Sequence, residues 1–185
     1  SWSTVDEFTW PGGQTSVAQG FAVDVTGNLY VAGYGAESPL SGKAGGRAHW
    51  LVRQSRDGGR NWSTIDEFNH SFNAKALAVV STGGSLFVAG SGWNGKSESG
   101  EQWLVRKGTA NGVGGFHWRT VDELANEEHG QRSDSRAIAL SVDPRGNLYA
   151  VGRSCALAGG EKKAQWTTRR ASSEGTNWRV VDTFQ

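Results

Sequence analysis

The sequence predicts an all-β chain, a β-propeller segment of three four-stranded antiparallel blades. Three observations lead there. Residues 2–8, 62–68, 118–124 and 178–184 read WSTVDEF, WSTIDEF, WRTVDEL and WRVVDTF, and their tryptophans stand 60, 56 and 60 residues apart, a blade-length period. Between these copies lie three versions of a longer unit, built from short β-branched and aromatic runs broken at glycines. The 27 Gly against 3 Pro, with 9 Trp in 185 residues, suit short strands joined by tight turns and packed through aromatic rings.

Taken in order, each unit supplies four strands, here a to d. Residues 22–33 (AVDVTGNLYVAG), 79–90 (VVSTGGSLFVAG) and 141–152 (SVDPRGNLYAVG) each read as strands a and b around a Gly-centred turn. Strand c follows as HWLVR at 49–53, QWLVR at 102–106 and QWTTR at 165–169, and the Trp-led copies form strand d. The expected boundaries within one partial propeller domain, 1–185, are blade 1 at 9–68, blade 2 at 69–124 and blade 3 at 125–184. Residues 2–8 are then an extra outer strand. Small residues on the a strands, such as Ala18, Gly20, Ala137 and Ala139, fit a crowded central channel. The d–a and b–c connections are long and mutually dissimilar, and loops that vary over a repeating scaffold are where a specific site is built.

Residues 55–62 read SRDGGRNW and place Ser55, Asp57, Gly59 and Trp62 at the spacing Ser-x-Asp-x-Gly-x-x-Trp. This resembles the Asp-box of sialidases and related β-propellers, a hairpin turn between the third and fourth strands of a blade. The resemblance implies a carboxylate holding backbone N–H groups, a glycine at positive φ and a Trp plugging the space between blades. A degenerate copy at 171–178 keeps Gly175 and Trp178 with Ser173 at the Asp position, and the middle copy carries an insertion before Trp118. The Asp-x-x-Gly-Asn-Leu-Tyr runs at 24–30 and 143–149 also resemble a repeat of bacterial β-propellers. That likeness favours a bacterial secreted or periplasmic protein, although the sequence fixes no compartment.

Composition excludes several classes. Nineteen basic against 18 acidic residues leave a formal charge of +1 without a block of one sign, so no nucleic-acid or anionic-membrane partner is expected. No window reaches the apolar length of a membrane helix. The single Cys155 excludes an internal disulfide and reads as an incidental thiol. The chain contains no Met, which suggests a matured, excised or engineered piece. No cofactor or metal motif is present: His49, His70, His117 and His129 show no ligand spacing.

The candidate ligand residues lie on the long-loop face. Trp10 and Trp93 fall outside the repeat pattern, in a d–a and a b–c loop, and His70, Phe72 and His129 with its neighbours Glu127 and Glu128 share that face. Such rings suit stacking on a sugar or a partner side chain. The recurring Asp–Glu pairs (Asp6–Glu7, Asp66–Glu67, Asp122–Glu123) cannot flank one glycosidic bond, because adjacent strand residues point to opposite faces. They read as charge protecting outer edges. Arg53, Arg106 and Arg169 recur on strand c and read as blade-to-blade partners. The Arg-Ile-Pro motif of sialidases is absent and no Tyr–Glu nucleophile pair can be assigned.

The expected function is therefore a non-enzymatic scaffold binding a glycan or a protein. The alternative is part of a sialidase-type glycoside hydrolase completed by residues outside the chain, and a further one is an excised or engineered fragment without a natural ligand. Because propellers close at about four to eight blades, self-association is also expected, as a six-bladed homodimer or a nine-bladed homotrimer.

Overall fold

The computed structural model describes residues 2–13, 15–37, 47–95, 100–125, 133–158 and 161–184. Among these residues the chain is all-β, with no helix. Blade 1 holds β1 (Thr15–Val23), β2 (Leu29–Ala36), β3 (Ala48–Ser55) and β4 (Ser63–Phe68). Blade 2 holds β5 (Asn73–Thr82), β6 (Ser85–Trp93), β7 (Gly100–Ala110) and β8 (Phe116–Leu124). After the two-residue β9 (Ser133–Asp134), blade 3 holds β10 (Arg136–Val142), β11 (Leu148–Ala158), β12 (Glu161–Ala171) and β13 (Arg179–Phe184). Each blade is an antiparallel sheet in sequence order, a to d. One departure from the all-antiparallel expectation is β9, which pairs parallel to β7 of the preceding blade.

The a–b turns close as their residues require. Asp24 Oδ1 accepts the backbone N–H groups of Thr26 and Asn28 at 2.9 and 3.0 Å, while Oδ2 accepts from Asn28 Nδ2 and Tyr30 Oη, each at 2.8 Å. Asp143 holds Arg145 and Asn147 in the same way. Blade 2 lacks this Asp and turns instead through Gly83 and Gly84, both at positive φ, which costs a glycine little.

The inner strands β1, β5 and β10 pack side by side, whereas β4 and β8 barely meet. The sheets thus fan outward from the a strands. Between blades 1 and 2, Ala32, Trp50 and Val52 face Ala76, Val88 and Leu104; between blades 2 and 3, Ala89, Trp103 and Val105 face Ala137 and Ala150. At the centre of each junction the strand-c Trp enters a site that only glycine leaves open. A Cβ on Gly90 would lie 2.6 Å from the Trp50 ring and one on Gly152 would lie 2.9 Å from the Trp103 ring. Trp118 and Trp178 of strand d close the same junctions nearer the turns.

A polar clamp repeats beside each Trp. Arg106 of β7 donates Nε and Nη2 to the two oxygens of Asp66 on β4, both at 3.0 Å, and Arg169 of β12 does the same to Asp122 on β8 at 2.8 Å. The blade-to-blade reading of the arginines therefore holds. The reading of the paired acids needs correcting, because Asp66 and Asp122 are buried and only the neighbouring glutamates face water. The cause is a bulge that recurs in every blade between the c residue before the Arg and the Arg itself, placing one extra residue on strand d. It lets Ile65 and Asp66 turn toward the next blade together.

Residues 2–8, expected as an outer strand, form no strand ladder. They still occupy the lane of one. Arg53 donates Nε and Nη2 to Asp6 at 3.2 Å, and its guanidinium lies 4.2 Å from the centre of the Phe8 ring, as Arg106 lies 4.0 Å from that of Phe68.

Candidate functional site

Sheet order puts the a–b and c–d turns at one end of each blade and the d–a and b–c connections at the other. On the turn face, the 55–62 hairpin is closed by its own side chains. Ser55 Oγ accepts the Gly59 N–H at 2.9 Å and donates to Asp57 Oδ1 at 2.9 Å. Asp57 then takes the N–H of Asn61 at 2.9 Å, and Trp62 donates Nε1 to the Gly59 carbonyl at 3.1 Å. Gly59 sits at φ 91°. The hydrogen bonds from the Asn61 backbone and side chain and from Ser55 hold the Asp57 carboxyl down at about 2, from an ordinary 3.8. In the degenerate copy Gly175 keeps φ 71°, Ser172 pairs with Thr176 at 2.8 Å, and Lys107 of blade 2 reaches the Glu174 carboxylate at 3.0 Å.

On the long-loop face, Trp10 and His70 occupy matching places at the head of their blades. Trp10 stacks on His49 at 4.7 Å and lies over Gly35. His70 lies over Gly92, with Nε2 2.5 Å from Gln102 Oε1 and 3.8 Å from Glu123. His49 sits between Glu67 and Glu37, each at 3.5 Å; the Glu37 contact is within ion-pair range but outside hydrogen-bonding geometry. Phe72 and Trp93 meet edge to face at 4.9 Å, with Arg47 4.8 Å from the centre of the Phe72 ring. The structure thus brings Phe72 and Trp93 together and gives Trp10 and His70 equivalent seats in different blades. His129, Glu127 and Glu128 lie outside the described residues.

A second group on this face has no counterpart in the sequence reading. The parallel pairing of β9 with β7 sets Asp134 beside Glu101. Arg136 meets Glu101 through Nε in an ion pair without hydrogen-bond alignment and reaches Asp134 at 3.7 Å. Arg153 closes on the other Asp134 oxygen at 2.6 Å. Two carboxylates and two guanidiniums thereby gather at the entry to β10, an innermost strand, all part-exposed. Sequence patterns missed them because the residues are 33 and 17 positions apart along the chain, as Glu101, Asp134 and Arg136, Arg153, and only β9 joins them. Among the described residues, no group of His, Cys, Asp or Glu has the arrangement of a metal site. Cys155 is buried, its Sγ 3.5 Å from the Asp134 carbonyl.

No protein-family model and no curated sequence matches the chain. Solved structures do. An α-L-arabinanase from Penicillium chrysogenum in complex with arabinobiose matches with a TM-score of 0.55 at 14% identity, over 84% of this chain and 45% of that one. A protein of unknown function from Dyadobacter fermentans matches with a TM-score of 0.55 at 16% identity, over 90% and 50%. An α-L-arabinofuranosidase from Fusarium graminearum in complex with an iminosugar inhibitor matches with a TM-score of 0.52 at 12% identity, over 84% and 45%. The fold is a β-propeller segment. The chain spans about half the length of these solved proteins. The expectation of a non-enzymatic scaffold does not stand: it rested on the regularity of the repeat and on missing sialidase motifs, and two of these structures are an α-L-arabinanase and an α-L-arabinofuranosidase. Absence of one family's signature therefore does not separate inert from catalytic propellers.

Proposed function

We propose that the chain supplies three blades of a carbohydrate-acting propeller of the glycoside hydrolase class, with the long-loop face as its sugar-binding surface. The observation that carries this reading is the convergence of Glu101 and Asp134 at the inner end of that face. Glycoside hydrolysis generally needs two carboxyl groups flanking one bond, one to protonate the leaving oxygen and one to act as base or nucleophile. Asp134 has a guanidinium facing each oxygen. Glu101 meets Arg136 beside it, and Asp134 and Glu101 are the proposed carboxyl pair. Phe72 and Trp93 offer an apolar platform on the same face, and Trp10 and His70 extend the proposed binding surface.

Fold likeness to arabinose-directed enzymes supports arabinose-containing glycans as the first substrate class to try. The sialidase variant has less support, because Arg53, Arg106 and Arg169 are each committed to a carboxylate of the neighbouring outer lane. Hydrolysis of an aryl α-L-arabinofuranoside and of arabinan, beside a fluorogenic sialoside, tests the reading. Asp134→Asn and Glu101→Gln are each expected to lower turnover by a factor of about 100 to 10,000 while the thermal midpoint changes little. Absence of turnover on every glycoside in the folded wild-type protein overturns the proposal, and so does undiminished turnover in both variants.

A further inference from the structure

The two ends of the arc are halves of the junction that the chain builds twice inside itself. At each internal junction a Trp of strand c enters beside a Gly of strand b in the next blade, and an Asp of strand d meets the Arg of the next strand c. Blade 3 ends with the donor half: Trp166 matches Trp50 and Trp103, and Asp182 matches Asp66 and Asp122. Trp50 and Trp103 are 0% exposed, whereas Trp166 is 56% exposed. Around it Ile138, Val180 and Phe184 are bare as well.

Blade 1 begins with the acceptor half. Gly33 matches Gly90 and Gly152, yet the three atoms nearest a Cβ there are all backbone, where Gly90 and Gly152 each have a Trp ring among theirs. Beside it lies a cavity of about 220 Å³ bounded by Asp6, Phe8, Val17, Val31, Leu51 and Arg53. Phe21 on β1 is 60% exposed, while Val79, its equivalent in blade 2, is 5% exposed. The Arg of this half is engaged by Asp6 of the chain's own leading segment.

We propose that a second copy of this chain joins these two faces head to tail, Trp166 entering the cavity beside Gly33 and Asp182 replacing Asp6 on Arg53. The leading segment 2–8 is then a competitor, holding the outer lane until the incoming β13 displaces it. Complementarity between the ends argues for a copy of this chain over an unrelated partner, since donor and acceptor carry the same residues as the internal junctions. Closure by two chains gives six blades. Fold likeness agrees in length, because one chain matches 45–50% of each solved propeller. A closed head-to-tail ring leaves neither apolar face in water.

Native mass spectrometry and light scattering on the full chain over a concentration series read the association, independently of any glycosidase activity. A mass of two chains is expected. Asp6→Asn, which frees Arg53, tightens association about tenfold, and Trp166→Ala, which removes a central anchor, weakens it about a hundredfold. Asp182→Arg weakens association too, without altering the fold seen by circular dichroism. A wild-type chain and an Asp6→Asn variant that both stay monomeric overturn the proposal. So does a mass of three chains, or a dimer indifferent to Trp166→Ala and Asp182→Arg.

Discussion

Asp24 and Asp57 are half-buried and meet no opposite charge in the side-chain hydrogen bonds that hold them, yet they set how the turns answer to acid. Burial alone pushes the Asp24 carboxyl up, but donors from Thr26, Asn28 and Tyr30 outweigh it and hold it far below the usual carboxylate range. Asn61 and Ser55 hold Asp57 at about 2, and Asn147 holds Asp143 low against a smaller effect of burial. A carboxyl whose folded pKa lies below its unfolded one stabilises the fold fully above the unfolded value and loses that contribution as pH falls toward the folded value. Asp66 and Asp122 move the other way, because burial outweighs their arginine partners, so the turn aspartates govern the acid limb. Stability is expected to fall between about pH 4 and about pH 2, and Asp24→Asn to flatten that fall. Urea titrations across this range check it; an unchanged slope in the variant assigns the acid response elsewhere.

At the scale of the element, the recurring bulge on strand d ties sequence to blade packing. It turns Asp66 inward beside Ile65, and burial then makes the Arg106 clamp obligatory. Removing one partner leaves a buried charge uncompensated, so Arg106→Ala is expected to cost about 3–5 kcal/mol. The pair Arg106→Met with Asp66→Leu removes both charges and is expected to recover most of that loss. A double-mutant cycle in guanidinium melts decides between them: additive losses would mean that the two side chains act separately. Blade order was legible here without coordinates, because the WxxVDxF-like and WxxR segments recur in the same order in every blade. Inward burial of the Asp was not, since strict strand alternation gives no sign of a bulge.

For the whole molecule, equivalent residues differ by their surroundings. Trp103 and Trp166 hold the same place in their repeats, but among the described residues a neighbouring blade covers Trp103 and leaves Trp166 56% exposed. In the monomer, Trp103→Ala is expected to cost about 3–5 kcal/mol, as for a large core truncation, and Trp166→Ala less than about 1 kcal/mol. Thermal melts at dilution compare them. Equal losses would show that Trp166 already packs within its own blade.

The sequence by itself determined strand content, blade order, the Gly-centred a–b turns, the turn chemistry at Asp57, and the tryptophans and arginines that repeat between blades. These are local or periodic signals: a turn is closed by residues within a few positions, and a repeat shows its packing face by recurring. Tertiary structure alone decided what depends on neighbours from distant segments. It joined Glu101 to Asp134 through β9, buried Asp66 while leaving Glu67 in water, and seated residues 2–8 on Arg53 without a ladder. A side chain's partner across a blade junction follows from the fan of the sheets, and no spacing along the chain encodes which carboxylate a given guanidinium will meet.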